Sequence, residues 1–144
     1  MTLADYLASF RGRRWQPGVF DCGVFMADWV CQVCGRDPIA DVRGSYRTEA
    51  QFQQILASEG GFLKSCARRM AAVGMRRTRT PHHGDLMVVM APFDLVGDVI
   101  QRRPTGAIGV SKTMRAVITS DRGLVIADDA ALPALRAWSF PCLT

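Results

Sequence analysis

The sequence predicts an α+β fold in which N-terminal helices pack on a C-terminal antiparallel β-sheet or small half-barrel. In the first half, apolar residues recur at helical spacing behind N-capping residues. In the second half, short β-branched runs alternate with turn signals. Helices precede strands instead of alternating with them, which favours α+β over α/β. The length of 144 residues suits one domain spanning 1–144.

Capping patterns and helix breakers predict four helices in the first half. Thr2 is expected to cap the first helix, and Asp21 and Gly35 to begin and end the second, at about 22–34. The capping box "TEAQ", with Thr48 and Gln51, is expected at the start of the third helix. The fourth helix is expected at 62–72, before Gly74.

Short apolar runs predict five strands in the second half, at 84–91, 106–111, 114–119, 123–128 and 135–140. Their close spacing suits antiparallel pairing. The segment 92–105 is expected to be the longest loop.

The stretch "FDCGVFMADWV" places Cys22 in the first turn of the second helix, directly after its N-cap. At 100° per residue Cys22 shares a face with Phe25, Met26 and Trp29, so it faces whatever the helix packs against. The unpaired N–H groups and the helix dipole predict a lowered pKa for this thiol, as a nucleophile needs. The alternative is a buried structural cysteine, since free Cys is among the most buried residue types.

"FDCGVFMADWV", the later "GDLMVV" and then "GAIGVS" resemble the NlpC/P60 superfamily of papain-like cysteine peptidases. In that superfamily a "DCSG"-type motif begins a helix and supplies the nucleophile, and an "HVGIY"-type strand supplies the base. Over residues 1–140 the chain more closely resembles a phage- and prophage-encoded family of small proteins related to NlpC/P60. The pieces that carry this resemblance are "DCGVFMADWV", "GRDP", "RGSYRTEAQ", "EGG", "HGDL", "AIGVS", "RGLVI" and "RAWSF".

The chain departs from the peptidase pattern at the base. The position expected to hold histidine is Ala107, or Gly106 if the alignment slips by one, and neither residue accepts a proton. His82 and His83 in "TPHHGDL" are the remaining candidates for a displaced base, and the alternative is that they are exposed turn residues.

The resemblance implies a structural component of a bacteriophage or prophage-derived tail tip with a degenerate NlpC/P60-like fold. Such a protein is made in the bacterial host cytoplasm, resides in the virion tail and contacts other tail proteins of the hub, distal tail and tail tip. The alternative is an active cysteine peptidase that cleaves peptide stems of peptidoglycan, with Cys22 as nucleophile and His83 or His82 as base.

Five cysteines and no recognisable secretory signal argue against a disulfide framework. Cys31 and Cys34 form a CxxC inside the second helix, and together with Cys66 and Cys142 they offer four thiols for zinc or an iron–sulfur cluster. There is no second CxxC, so we expect no cofactor.

The net charge of +5 is concentrated in arginine clusters at 11–14, 68–79 and 101–104. Arginine pairs with carboxylates and phosphates, so these clusters suit an acidic protein neighbour, nucleic acid or an anionic polymer, or else form a solvated face. No aromatic residues interleave with them, so we expect no specific nucleic-acid partner. No apolar run approaches the roughly 18 residues of a membrane span, and none is expected.

Overall fold

The computed structural model describes residues 1–96 and 98–141, and the side chains of all these except 93–96. Four helices are followed by a six-stranded antiparallel sheet that is not closed, which confirms the predicted α+β class. The helices are α1 (Leu3–Ala8), α2 (Cys22–Cys34), α3 (Glu49–Ser58) and α4 (Phe62–Ala72). The strands are β1 (Arg76–Thr78), β2 (Leu86–Val96), β3 (Val99–Gly109), β4 (Met114–Thr119), β5 (Gly123–Asp128) and β6 (Ala134–Ser139). No helix in these described ranges is long and apolar enough to span a membrane.

The strands lie in the order β1-β6-β2-β3-β4-β5. The pairs from β2 to β5 are successive hairpins, while β6 returns to the other side of β2 and pairs Trp138 with Leu86. The central β2–β3 ladder includes Leu86 opposite Ile108. This order leaves β1 and β5 as the two edge strands of the described sheet.

The main hydrophobic core lies between the helices and one face of the sheet. The predicted apolar stripe of α2 is buried there, with Phe25, Met26 and Trp29 packed in the same cluster as Leu86 and Ile108. On the opposite face of the sheet, a smaller buried cluster is formed by Met87, Val89, Ala91, Ala107, Val117, Leu132 and Ala137. Helix α2 therefore lies directly against the middle of the sheet, with Cys22 at its beginning.

The helix starts follow from local capping chemistry as the sequence predicts. Thr2 caps α1, and Asp21 caps α2, which ends at Gly35 in the left-handed conformation. The Thr48 hydroxyl accepts from the Gln51 N–H at 3.1 Å. The side chain of Gln51 accepts from the N–H of Arg47, one residue before the N-cap, instead of closing the expected capping box on Thr48.

The prediction of a long loop over 92–105 is wrong. Residues 92–96 and 99–105 belong to β2 and β3, which extend as a two-stranded ribbon past the ends of β6 and β4. Pro92 and Pro104 suggest a loop, but strand edges and bulges tolerate proline because it need not donate to a ladder there. Pro92 sits at a register shift and Pro104 lies where β4 no longer pairs with β3.

Strand β1 was not expected from the sequence. Its three residues lie in an arginine cluster and pair with β6 at the edge of the sheet. Only tertiary pairing selects such a short, polar strand.

Candidate functional site

The site predicted from the sequence begins at Asp21, which is completely buried. Its carboxylate accepts from the backbone N–H of Val24 at 2.8 Å and of Gly18 at 2.9 Å. The hydroxyl of Tyr46 donates to the same carboxylate at 2.6 Å. The bond from Val24 caps α2. The bonds from Gly18 and Tyr46 attach the preceding turn and the 38–46 segment to the start of the helix. Asp21 therefore fixes where the helix begins and how Cys22 is presented.

Cys22 is buried and lines a groove of about 330 Å³ between α3 and the β2–β3 ribbon. The strand opposite it is β3, whose Gly106 packs directly against the backbone of Cys22. The groove is also lined by Trp15, Glu49 and Arg103.

The prediction of a lowered pKa for Cys22 is wrong. Burial raises the pKa to about 12, and the negative charge of Asp21 acts in the same direction. The Gly106 hydrogen bond and the charge of Arg103 lower the pKa, but they do not offset burial. With a pKa near 12, only about one thiol in 10⁵ is ionised at neutral pH. The helix start alone therefore does not supply a reactive thiolate.

The two positions where the peptidase pattern has its base are blocked by packing. A Cβ on Gly106 would lie 2.5 Å from the Met26 methyl and 2.8 Å from the carbonyl oxygen of Cys22, so no side chain fits there. Ala107 is fully buried in the cluster on the opposite face of the sheet. At Gly106, helix α2 occupies the space that a basic side chain would need, and at Ala107 the side chain lies on the face of the sheet away from α2.

The structure does not bring the two histidines to Cys22. Gly84, which follows His83, accepts a hydrogen bond from the indole of Trp29 at 2.9 Å. Trp29 is seven residues after Cys22, about 10 Å along the helix axis. Nδ1 of His83 lies 2.9 Å from the carbonyl oxygen of Val110, at the end of β3 beyond Gly106. Both histidines are exposed on the loop before β2.

Other polar groups lie at the groove, and the sequence did not indicate that they meet Cys22. Arg103 contacts Glu49 at 3.3 Å, and its guanidinium lies 5.9 Å from the centre of the Trp15 ring. Gln53 also donates to Glu49, at 2.9 Å. Glu49 adds a negative charge that raises the pKa of Cys22 instead of lowering it. Tyr46 and Glu49 both lie in the motif "RGSYRTE", and this motif is the one signal in the sequence that points to these two residues.

The four cysteines considered as metal ligands lie in different environments. Cys31 is half-buried and Cys34 exposed on α2, whereas Cys66 is buried on α4 in the main core. Cys142 lies outside the described residues. Over residues 1–96 and 98–141, no three His, Cys, Asp or Glu side chains are grouped so as to hold a metal ion.

The arginine clusters divide between structural and exposed roles. Arg69 is largely buried, pairs with Glu59 and Asp41, and donates to the carbonyl of Pro38 at 3.0 Å. Arg68 pairs with the same Glu59 from an exposed position. The arginines at 11–14 and 76–79 are exposed.

Comparison with known proteins gives one result. The family described as a domain of unknown function (DUF6950) matches residues 1–140. No curated protein and no solved structure matches the chain.

Proposed function

We propose that the chain, which belongs to the DUF6950 family, is a structural component of a bacteriophage or prophage-derived tail tip. It acts through protein–protein contacts on an NlpC/P60-like fold that does not catalyse. The tail assignment is supported by the resemblance of "DCGVFMADWV" and the later motifs to phage-encoded relatives of that superfamily. The absence of catalysis is supported by the geometry around Cys22.

The observation that carries the proposal is the contact between Cys22 and Gly106. In a cysteine peptidase the thiol needs a general base within hydrogen-bond reach, about 3 Å in the productive complex. Here the helix start packs directly on the backbone of β3: a Cβ on Gly106 would lie 2.8 Å from the carbonyl oxygen of Cys22. A nucleophile that is buried, protonated and without a base works as a packing residue.

The exposed surface suits a protein that works by contacts. Arginines at 11–14 and 76–79 lie at opposite edges of the sheet, near β5 and on and after β1. Exposed arginine clusters form bidentate pairs with carboxylates, which gives orientation as well as affinity at an interface.

A second candidate is the active peptidase, favoured by one observation. Cys22 lines an open groove of about 330 Å³ instead of being sealed in the core. For this function the groove must open further, and the loop that carries His82 and His83 must leave its contacts near Trp29 and Val110 to reach Cys22.

The two functions are separated by complementation in the phage or prophage that encodes the chain. The gene is deleted, and wild type or the Cys22→Ala variant is supplied from a plasmid. We expect both to restore complete tails and infectivity equally, with the protein detected in purified particles by mass spectrometry. Cys34→Ala, an exposed thiol on the same helix, is the control for losing a cysteine.

Two outcomes contradict the proposal. Complete tails that fail to infect only with Cys22→Ala would indicate catalysis during entry. Absence of the protein from particles, with normal tails after the deletion, would refute the tail assignment.

A further inference from the structure

The structure joins two distant arginine segments into one groove. The loop at 10–15 carries Arg11, Arg13 and Arg14, and the turn between β4 and β5 carries Arg122. Together they line a groove of about 630 Å³ on the β5 side of the sheet. The sequence shows the first cluster but does not indicate that Arg122 meets it.

The close approach of the two segments depends on Gly123. A Cβ at this position would lie 2.8 Å from the carbonyl oxygen of Arg13, and φ is +72°, which L side chains rarely adopt. A larger residue would push the turn away from the loop. The shape of the groove therefore depends on a glycine at this position.

One arginine of the groove is held in place by aromatic rings. The guanidinium of Arg13 lies 4.5 Å from the centre of the Phe20 ring and 5.3 Å from that of Phe10. This cation–π contact orients Arg13 before any ligand arrives. A side chain that is already ordered loses less conformational entropy on binding.

The positive charge of the groove is almost uncompensated. Asp121 is the one acidic residue among its lining residues. It lies 3.9 Å from the Arg122 guanidinium, and both side chains are more than two-thirds exposed, so solvent screens the pair. Within the described chain, Arg11 and Arg14 make no ion pair. The groove therefore presents a surplus of guanidinium groups that suits a ligand with several carboxylates or phosphates.

The surroundings favour carboxylates on a protein over nucleic acid. Two aromatic residues line the groove, Phe10 and Trp15. The ring of Phe10 is buried against other aromatic rings, and Trp15 is half-buried with the Arg103 guanidinium 5.9 Å from its ring centre, so neither presents a fully open face on which a base can stack. On the other side of the 120–122 turn, an apolar groove of about 860 Å³ runs along the sheet. An acidic protein segment with interspersed apolar residues complements both surfaces at once.

We propose that the groove formed by Arg11, Arg13, Arg14 and Arg122 is the docking site for an acidic segment of a partner protein. The inference rests on the proposed contact role and names the chemistry of one contact. The carboxylates of the partner pair with the arginines, and its apolar side chains lie along the sheet beside the 120–122 turn.

The test is a fluorescence anisotropy titration of full-length protein with fluorescein-labelled octaglutamate at about 0.15 M salt, where the Debye length is about 8 Å and distant charges are screened. The variant is Arg11→Gln/Arg14→Gln. The control is Arg76→Gln/Arg77→Gln, which changes the net charge equally at the opposite edge of the sheet. We expect the groove variant to bind about tenfold more weakly and the control to change less than about twofold. Thermal unfolding of both variants checks that they fold alike.

Two results would overturn the inference. Equal losses in both variants would mean that octaglutamate responds to net charge and not to the groove. Binding of inorganic polyphosphate or duplex DNA that depends on Arg11 and Arg14, without binding of octaglutamate, would assign the groove to a phosphate ligand.

The titration and the particle experiment test different statements. A chain present in particles whose groove does not bind octaglutamate would refute this inference and leave the contact role. A chain that binds octaglutamate but is missing from particles would refute the tail role and leave the groove.

Discussion

Replacing Asp21 by Asn removes one acceptor from a buried group that serves three donors. The carboxylate receives the N–H groups of Val24 and Gly18 and the hydroxyl of Tyr46, and Asp21 has no exposed surface. An amide accepts through one oxygen only, so in either orientation one of the two backbone N–H groups faces another donor. Leaving a buried donor unpaired costs about 1–3 kcal/mol, and the loss of charge-assisted bonds places the expected cost near 2–3 kcal/mol.

Urea unfolding followed by tryptophan fluorescence measures this cost. We expect Asp21→Asn to lower the unfolding free energy by roughly 2–3 kcal/mol, which corresponds to a fall in Tm of about 5–10 °C. Tyr46→Phe, which removes one donor and leaves the carboxylate bonded to both N–H groups, should cost about 1 kcal/mol. A free energy for Asp21→Asn within about 0.5 kcal/mol of wild type would refute the assignment of Asp21 as the residue that holds the start of α2.

Three further changes test the packing, the buried thiol and the ion pairs. Gly106→Ala should lower the unfolding free energy in urea by about 1–3 kcal/mol, because the new Cβ would overlap the backbone carbonyl oxygen of Cys22. An unchanged urea midpoint would contradict the contact between Gly106 and α2. Cys22 keeps its proton in the folded state up to about pH 12 but loses it near pH 9 when unfolded, so stability should fall as pH rises between these values. Cys22→Ser should flatten that fall by up to about 1.4 kcal/mol per pH unit, and an identical slope in both proteins would mean that the thiol is not buried. Arg69→Gln should lower the unfolding free energy in urea by about 3 kcal/mol, because it removes the largely buried partner of Glu59. Arg68→Gln removes the exposed pair with Glu59 and should lower it by under about 1 kcal/mol. Equal losses in the two variants would contradict the assigned difference in burial.

The helix starts were predictable because capping is local chemistry. Asp21 and Thr48 each accept an N–H three residues later, and Gly35 closes α2 in the left-handed conformation. These interactions lie within a few residues of sequence, and the amphipathic stripe of α2 follows from the same short range.

The extent of β2 and β3 could not be predicted in this way. Pro92 and Pro104 break a strand inside a sheet, and the sequence does not show that β6 and β4 end before reaching them. Strand length here is set by which edges stay unpaired, and that is decided by residues far along the chain.

Cys22 lies in the first turn of α2 on its buried face, as the sequence predicts, and its burial agrees with the alternative of a structural cysteine, whereas the predicted fall in its pKa is wrong. The helix start was visible in the sequence, whereas the burial that raises the pKa of Cys22 depends on tertiary packing, including the contact with Gly106, 84 positions later. Tyr46 and Arg103 reach the site through tertiary contacts with Asp21 and Glu49. Local rules therefore gave the position of the thiol, and long-range packing gave its reactivity.

The reactivity of Cys22 toward iodoacetamide tests the central claim most directly. Native protein is alkylated at neutral pH, and each cysteine is quantified by peptide mass spectrometry, with exposed Cys34 as the internal reference. We expect Cys34 to react while Cys22 stays protected, and the rate at Cys22 to be the same in a His82→Ala/His83→Ala variant. Faster alkylation of Cys22 than of Cys34, slowed by the loss of the two histidines, would demonstrate a working Cys–His pair and contradict a non-catalytic role.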